Sequence, residues 1–210
     1  MASISLTDAG KKFSTQWVFR NLNLEIKPRE RLAITGFNGS GKSTLLQAIS
    51  GFQSLSEGTI LYTVKNATIN SEHWHRHISY AAPYLDVPEE YTFEELIRFQ
   101  SKFKPLTENI TTGDMLQISG LTGIENKAIK NYSSGMKQRI KLSLAVMSAV
   151  PVLLLDEPLS NLDQKGVSWY KSLIEEHAKE KTIIVCSNNI QEEIFFCDRK
   201  IDIHDYKQAL

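Results

Sequence analysis

The stretch Gly36-Phe37-Asn38-Gly39-Ser40-Gly41-Lys42-Ser43 sets two glycines, a lysine and a hydroxyl at the spacing G-x-x-x-x-G-K-[ST], with every fixed position filled. These residue types meet the needs of a dense anion. Glycines let the backbone come close and turn its N–H groups inward. Lys42 supplies a point charge for the terminal phosphates of a triphosphate, and Ser43 a hydroxyl for Mg²⁺. A helix beginning here would aim its positive N-terminal end at the same anion.

A second set of reactive residues closes the run Val152-Leu153-Leu154-Leu155-Asp156-Glu157. Continuous apolar residues make a fully buried strand. Carboxylates at its C-terminal end stand where ligands bind in open parallel sheets. Beside a phosphate loop, Asp156 suits a Mg²⁺ ion held through water. Glu157 suits the general base that polarises an attacking water.

The elements that must position these residues are legible around them. Residues 31–35 read as a short buried strand running into the glycine loop, and 43–49 as a helix with apolar Leu45, Leu46 and Ile49. Residues 18–26 largely alternate, as a half-buried strand does, and 58–64 and 78–82 read as further strands. These early strands are expected to be antiparallel and to flank the loop. Helical spacing runs through 93–103 by way of Leu96, Ile97, Phe99 and Phe103, with a short helix at 115–118 and a third at 136–149. Strands return at 152–155 and 182–186 around a helix near 166–179, which is a βαβ pattern with a parallel sheet. The expectation is one α/β domain over 1–210. It has a phosphate-loop core on a parallel sheet, an antiparallel β portion near the N-terminus, and a helical subdomain inserted at about 84–150.

Bulk properties narrow the function classes. Lys+Arg and Asp+Glu both number 24, so the formal charge is zero; nucleic-acid binding usually needs a basic surface. Cys186 and Cys197 are too few for a disulfide framework and lack metal-site spacing, which fits a reduced, cytoplasmic setting; both read as buried small hydrophobes. No apolar run approaches the roughly 18–20 residues of a membrane span, and the first residues do not read as a signal peptide. His73, His75 and His77 alternate, a spacing open to a metal site or, more simply, to a polar loop.

Tyr132-Ser133-Ser134-Gly135-Met136-Lys137-Gln138-Arg139 resembles the signature motif of ABC-type ATPases, commonly written L-S-G-G-Q, and stands just upstream of the acidic strand as it does in that family. Ser160-Asn161-Leu162-Asp163 resembles the family's D-loop. The resemblance covers nearly the whole chain and points to the nucleotide-binding subunit of an ABC transporter. It implies ATP held by Gly36, Asn38, Gly39, Ser40, Gly41, Lys42, Ser43 and Thr44, with Mg²⁺ on Ser43 and Asp156. It also implies catalysis by Glu157 with Lys42 and the residue after the last core strand, Asn188. Phe13, with Trp17 as second choice, stands where the family stacks an aromatic ring on adenine; an ordinary core position is the alternative. Ser133 and Gly135 would act on ATP bound to a second subunit, taken as an identical copy, so that two chains sandwich two ATP molecules head to tail; Asp163 of the D-loop is counted among the ATP-binding residues. The partner would be a transmembrane transporter subunit, and the location the inner face of the cell membrane. Read without the family, Ser133 is a candidate N-cap for the helix starting near 135 or 136.

The chain departs from the family pattern in three places. The signature keeps its serine and one glycine and loses its glutamine. The switch histidine is replaced by Asn188, whose neutral amide can donate a hydrogen bond but carries no transferable proton. A neutral rather than charge-assisted hydrogen bond costs about 1 kcal/mol or somewhat more, roughly tenfold in rate. Pro83 stands where the Q-loop glutamine belongs and offers neither side-chain donor nor N–H. Together these losses imply slow turnover. Tyr84, Leu85, Phe99 and Phe103 are candidates for the groove that grips the membrane partner, or for plain subdomain core. A nucleotide-gated regulatory subunit with little turnover is the alternative function. DNA- and ribosome-acting relatives are disfavoured by the absence of coiled-coil heptads and by a single nucleotide domain.

Overall fold

The computed structural model describes residues 1–207. In chain order its elements are β1 (Ala2–Phe13), β2 (Gln16–Ile26), β3 (Arg31–Thr35), α1 (Lys42–Ser50), β4 (Glu57–Val64), β5 (Ala67–Ile69), β6 (Ile78–Ala81), α2 (Phe93–Ser101), α3 (Thr112–Ser119), α4 (Ser134–Met147), β7 (Val152–Asp156), α5 (Gln164–His177), β8 (Thr182–Ser187), α6 (Gln191–Ile194) and β9 (Arg199–Asp202). They form two compact units. Of the described residues, the first holds Met1–Tyr80, Pro151–Glu157 and 180–207; the second holds Ala81–Val150 and Pro158–Lys179. The helical unit thus begins at Ala81 and also takes in the crossover between β7 and β8, α5 included.

In the first unit, one sheet is antiparallel, in the order β2-β1-β4-β5, and the other runs β6-β7-β8-β3-β9. β3, β7, β8 and β9 are parallel, with Leu154 and Leu32 both opposite Ile184, and Asp156 and Ile34 both opposite Cys186. Every residue of β7 and β8 is buried, which explains why these strands are unbroken apolar runs rather than alternating ones. Parallel register also decides where the chemistry lies. The C-terminal ends of β3, β7 and β8 share one edge, so the chain leaves Thr35, Asp156 and Ser187 side by side.

Between the sheets' buried faces, Leu45, Leu46 and Ile49 of α1 join Ile34, Leu154 and Ile184, together with Ile4, Leu6, Phe19 and Tyr62 of the antiparallel sheet. Each such side chain contributes about 1.5–3 kcal/mol by leaving water. The Tyr62 hydroxyl donates to the Ile49 carbonyl and pins the end of α1.

Two readings of the strands need correction. Of the strand read at 78–82, residues Ile78–Ala81 form β6, which lies beside β7 in the five-stranded sheet, not with the early antiparallel strands. Only four residues long, β6 carries no pattern that names its neighbour. β1 is a twelve-residue strand that alternation does not reveal. Its pairing shifts register between Leu6 and Ala9, where Asp8 takes a φ of 47° and its N–H bonds Asn23 Oδ1 at 2.9 Å. Such a bulge resets which residues face inward.

The second unit is helical. α2 opens with a capping box between Thr92 and Glu95, and α3 with one between Thr111 and Asp114, each satisfying backbone N–H groups the helix leaves unpaired. α2 buries Phe93, Leu96 and Ile97. Phe99 and Phe103 are instead 41% and 71% exposed; α2 ends at Ser101, so Phe103 lies beyond the helix whose periodicity had included it.

Candidate nucleotide site

The chain leaves β3 through three positive-φ glycines, Gly36 at 148°, Gly39 at 73° and Gly41 at 108°. A Cβ on Gly41 would meet Val18 Cγ1 at 2.4 Å, whereas none would touch anything within 4 Å at Gly39. Gly41 is therefore required by packing and backbone conformation together, while Gly39 keeps open space beside the loop. Gly41 is also the N-cap of α1, and no side chain caps this helix. Its first N–H groups thus await an acceptor from outside the helix. The Ser40 hydroxyl is buried without a hydrogen-bond partner, a second polar group in the same loop whose need an anion would meet.

Lys42, at 4% exposure, is drawn back into this loop. Its ammonium donates to the Gly36 carbonyl at 2.9 Å, the Phe37 carbonyl at 3.0 Å and Asn188 Oδ1 at 2.8 Å. Asn188 in turn donates from Nδ2 to Glu157 Oε1 at 2.9 Å. One partner is an obligate donor and the other an acceptor, so this amide has only one usable orientation. Glu157 itself has a φ of 42°, unusual for a residue with a side chain, and its N–H donates to the Cys186 carbonyl at 3.0 Å. Strain of this kind costs about 1–3 kcal/mol and gathers at functional sites. Sequence reasoning chose all three residues but foresaw no bridge; parallel pairing of β3, β7 and β8 brings them together.

Asp156 is a carboxylate with 1% exposure at the end of β7. Burial pushes the neighbouring Cys186 thiol well above its usual range, and the charges of Asp156 and Glu157 raise it further. That thiol donates to the Lys42 carbonyl at 3.4 Å, so Cys186 is more than a small hydrophobe: it ties β8 to the start of α1. Among the described residues no three His, Cys, Asp or Glu groups are placed to cage a metal. The available donors are one buried carboxylate and the half-buried Ser43 hydroxyl. That set suits Mg²⁺, which retains waters and takes phosphate oxygens rather than an all-protein shell. His73 and His75 lie on the short 3₁₀ helix Ser71–Arg76, and His77 follows it as C-cap.

Phe13 ends β1 with its ring 49% exposed and the Lys11 ammonium 5.0 Å from its centroid. Phe13 is therefore exposed rather than an ordinary core residue. Trp17 has Arg20 at 4.4 Å and Lys12 at 5.3 Å against its ring.

In the helical unit, Ser133 is the N-cap of α4 and accepts from the Met136 N–H at 3.2 Å. Gly135 admits the backbone of Asn161, since a Cβ there would lie 2.9 Å from the Asn161 carbonyl oxygen. Asp163 caps α5 by accepting from the Gly166 N–H at 2.7 Å. Ser133, Gly135, Met136, Arg139, Asn161 and Asp163 line a cavity of about 430 Å³. Sequence-distant residues thus meet in one polar pocket at the start of a helix. Pro83 is not left loose, because the Lys141 ammonium donates to the carbonyls of Ala82 and Pro83 at 3.2 and 3.0 Å. Lys141 escaped the sequence reading; its i+4 spacing from Lys137 on the signature helix was the available signal.

A parallel sheet whose strand ends deliver a glycine loop, a buried lysine and an acidic pair defines a P-loop NTPase fold. The chain belongs to the ABC transporter family, whose model matches residues 19–160, and is an ABC-type ATP-binding subunit. Among similar proteins, the "Uncharacterized ABC transporter ATP-binding protein YybJ" of Bacillus subtilis is 28% identical over 96% of this chain and 92% of its own length. The "Cytochrome c biogenesis ATP-binding export protein CcmA" of Aliivibrio fischeri is 32% identical over 82% of this chain and 84% of its own length. Among solved structures, an ATP-binding subunit of an ABC transporter superposes with a TM-score of 0.82 at 23% identity, covering 95% of this chain and 85% of that one. The ATP-binding cassette MJ0796, solved as a dimer in a post-hydrolysis state bound to ADP and Pi, gives 0.78 at 22% identity, covering 95% and 93%. Among the described residues no helix is long and apolar enough to cross a membrane.

Proposed function

We propose that this chain hydrolyses ATP as one of two identical copies closed head to tail, and that closure drives a membrane-embedded transporter subunit. The observation that carries this reading is the Lys42–Asn188–Glu157 bridge at the C-terminal edge of the parallel sheet. Lys42 exchanges its loop carbonyls for the β- and γ-phosphates, and the loop N–H groups take the remaining oxygens. Phe13 stacks on adenine. Ser43 and Asp156 hold Mg²⁺, which when bound offsets the charge of the phosphates. Glu157 takes a proton from water as the water oxygen bonds the γ-phosphorus. The bond to the β–γ bridging oxygen breaks, and ADP and phosphate leave. Ser133, Gly135 and Asp163 of the second copy complete the γ-phosphate site. The exposed Tyr84, Phe99 and Phe103 dock on the partner at the inner face of the membrane.

The test is Mg²⁺-dependent ATP turnover measured together with ATP-induced dimerisation of the purified chain. Saturable turnover and an ATP-dependent dimer are expected. Tight ATP binding with neither would replace the proposal with a nucleotide-gated subunit.

The bridge also sets a pH dependence. Asn188 neither gains nor loses a proton across the physiological range, so the wild-type rate should show no limb from this position. In Asn188→His, a protonated imidazole cannot accept from the Lys42 ammonium. The bridge should therefore fail as pH falls through the imidazole range near about 6.5. The variant's turnover relative to wild type should drop between about pH 8 and about pH 5.5. A constant ratio across that range would remove Asn188 from the catalytic array.

A further inference from the structure

Lys137 and Lys141 stand four residues apart on one face of α4, the helix that begins at the signature pocket. Both ammonium groups reach a single segment, the chain from Ala82 to Glu90. Lys141 holds its start by the carbonyls of Ala82 and Pro83, and Lys137 holds its far end by Glu89 Oε1 at 2.5 Å. Residues just upstream of α4 add to the grip. The Lys130 N–H donates to the Glu89 carbonyl at 2.9 Å, the Ile129 N–H to the Tyr91 carbonyl at 2.8 Å, and Lys130 Nζ to Glu90 Oε2 at 2.8 Å. Lys141 is half-buried, and burial lowers its pKa while Asp86 raises it. Its two bonds are charge-assisted contacts in a partly desolvated place, stronger than surface pairs. The segment then runs into Tyr91, whose ring packs edge-on against Phe99 at 5.7 Å, and Phe99 against Phe103 at 5.2 Å.

We infer that Lys137 and Lys141 strap residues 82–91 to the signature helix, so that a ligand in the pocket of Ser133 and Gly135 shifts the exposed aromatic row with α4. Pro83 cannot make this connection through its own side chain, which has no polar atom. The lysines make it from the opposite side, through main-chain oxygens that any residue would supply. Both are positioning residues, acting through the segment they hold. The inference rests on the proposed reading of the Ser133 pocket as a phosphate site.

The test is hydrogen–deuterium exchange on the full chain with and without Mg²⁺ and a non-hydrolysable ATP analogue, for wild type, Lys137→Met/Lys141→Met, and Lys137→Arg/Lys141→Arg. In wild type the analogue should slow exchange in 133–141 and in 84–91 together, by about tenfold, an ordinary size for coupling between sites. In the methionine variant, which keeps the apolar stems, protection should persist at 133–141 and vanish at 84–91. The arginine variant should restore it. Protection of 84–91 persisting in the methionine variant would overturn the strap while leaving the pocket reading intact. A wild type protected at neither segment would overturn both.

Discussion

Glu157→Gln is expected to bind ATP as tightly as the wild type and to lose turnover by about 10²–10⁴-fold, the range that a positioned general base supplies. The substitution is nearly isosteric. Its side-chain carbonyl can still accept from Asn188 Nδ2, which bonds Glu157 Oε1 at 2.9 Å, so the bridge to Lys42 survives. The backbone is also held independently of the side chain, by the bond from the Glu157 N–H to the Cys186 carbonyl. What is lost is the basicity needed to take a proton from water. ATP should therefore accumulate on the variant, and the ATP-dependent dimer should become long-lived. Single-turnover kinetics and light scattering on the same sample would read both effects. Equal hydrolysis rates in variant and wild type would remove Glu157 as the base.

Lys42→Met should lower ATP affinity by about a hundredfold, since hydrogen bonds to charged groups are worth about 1.5–3 kcal/mol each. The nucleotide-free protein should suffer as well. Its ammonium satisfies two loop carbonyls and Asn188 Oδ1 from a nearly fully buried position, and an acceptor left unpaired there costs about 1–3 kcal/mol. Two readouts separate these effects. Unfolding without nucleotide reports the lost loop contacts. The further stabilisation that ATP confers, which grows as the logarithm of ligand over Kd, reports the lost phosphate clamp. Unchanged ATP affinity by calorimetric titration would contradict the assignment of Lys42, whatever happens to stability.

Much of the fold was legible because burial leaves its mark on composition. Leu153 to Leu155 and Ile183 to Val185 read as central strands since a strand covered on both faces has no polar side to show. The bulge at Asp8 hid β1, because it breaks the alternation between residues 6 and 9. β5 and β9, of three and four residues, are too short to carry a period. At the site, glycine and lysine spacing sufficed for the phosphate loop, since consecutive residues build it.

What the sequence determined by itself, then, is the family, the loop, the acidic strand end and the capped start of α4. All of these are local: side-chain type and spacing set them within a few residues. Tertiary structure alone decided that Asn188 links Lys42 to Glu157, with partners 146 and 31 residues away in sequence. It likewise decided that Lys141 holds the backbone at Pro83, 58 residues away. These contacts depend on strand register and helix packing, which single-residue patterns do not encode. They also recast the two apparent losses. A neutral amide becomes a fixed donor–acceptor bridge, and a proline without a polar side chain becomes a pair of carbonyls for a lysine to grip.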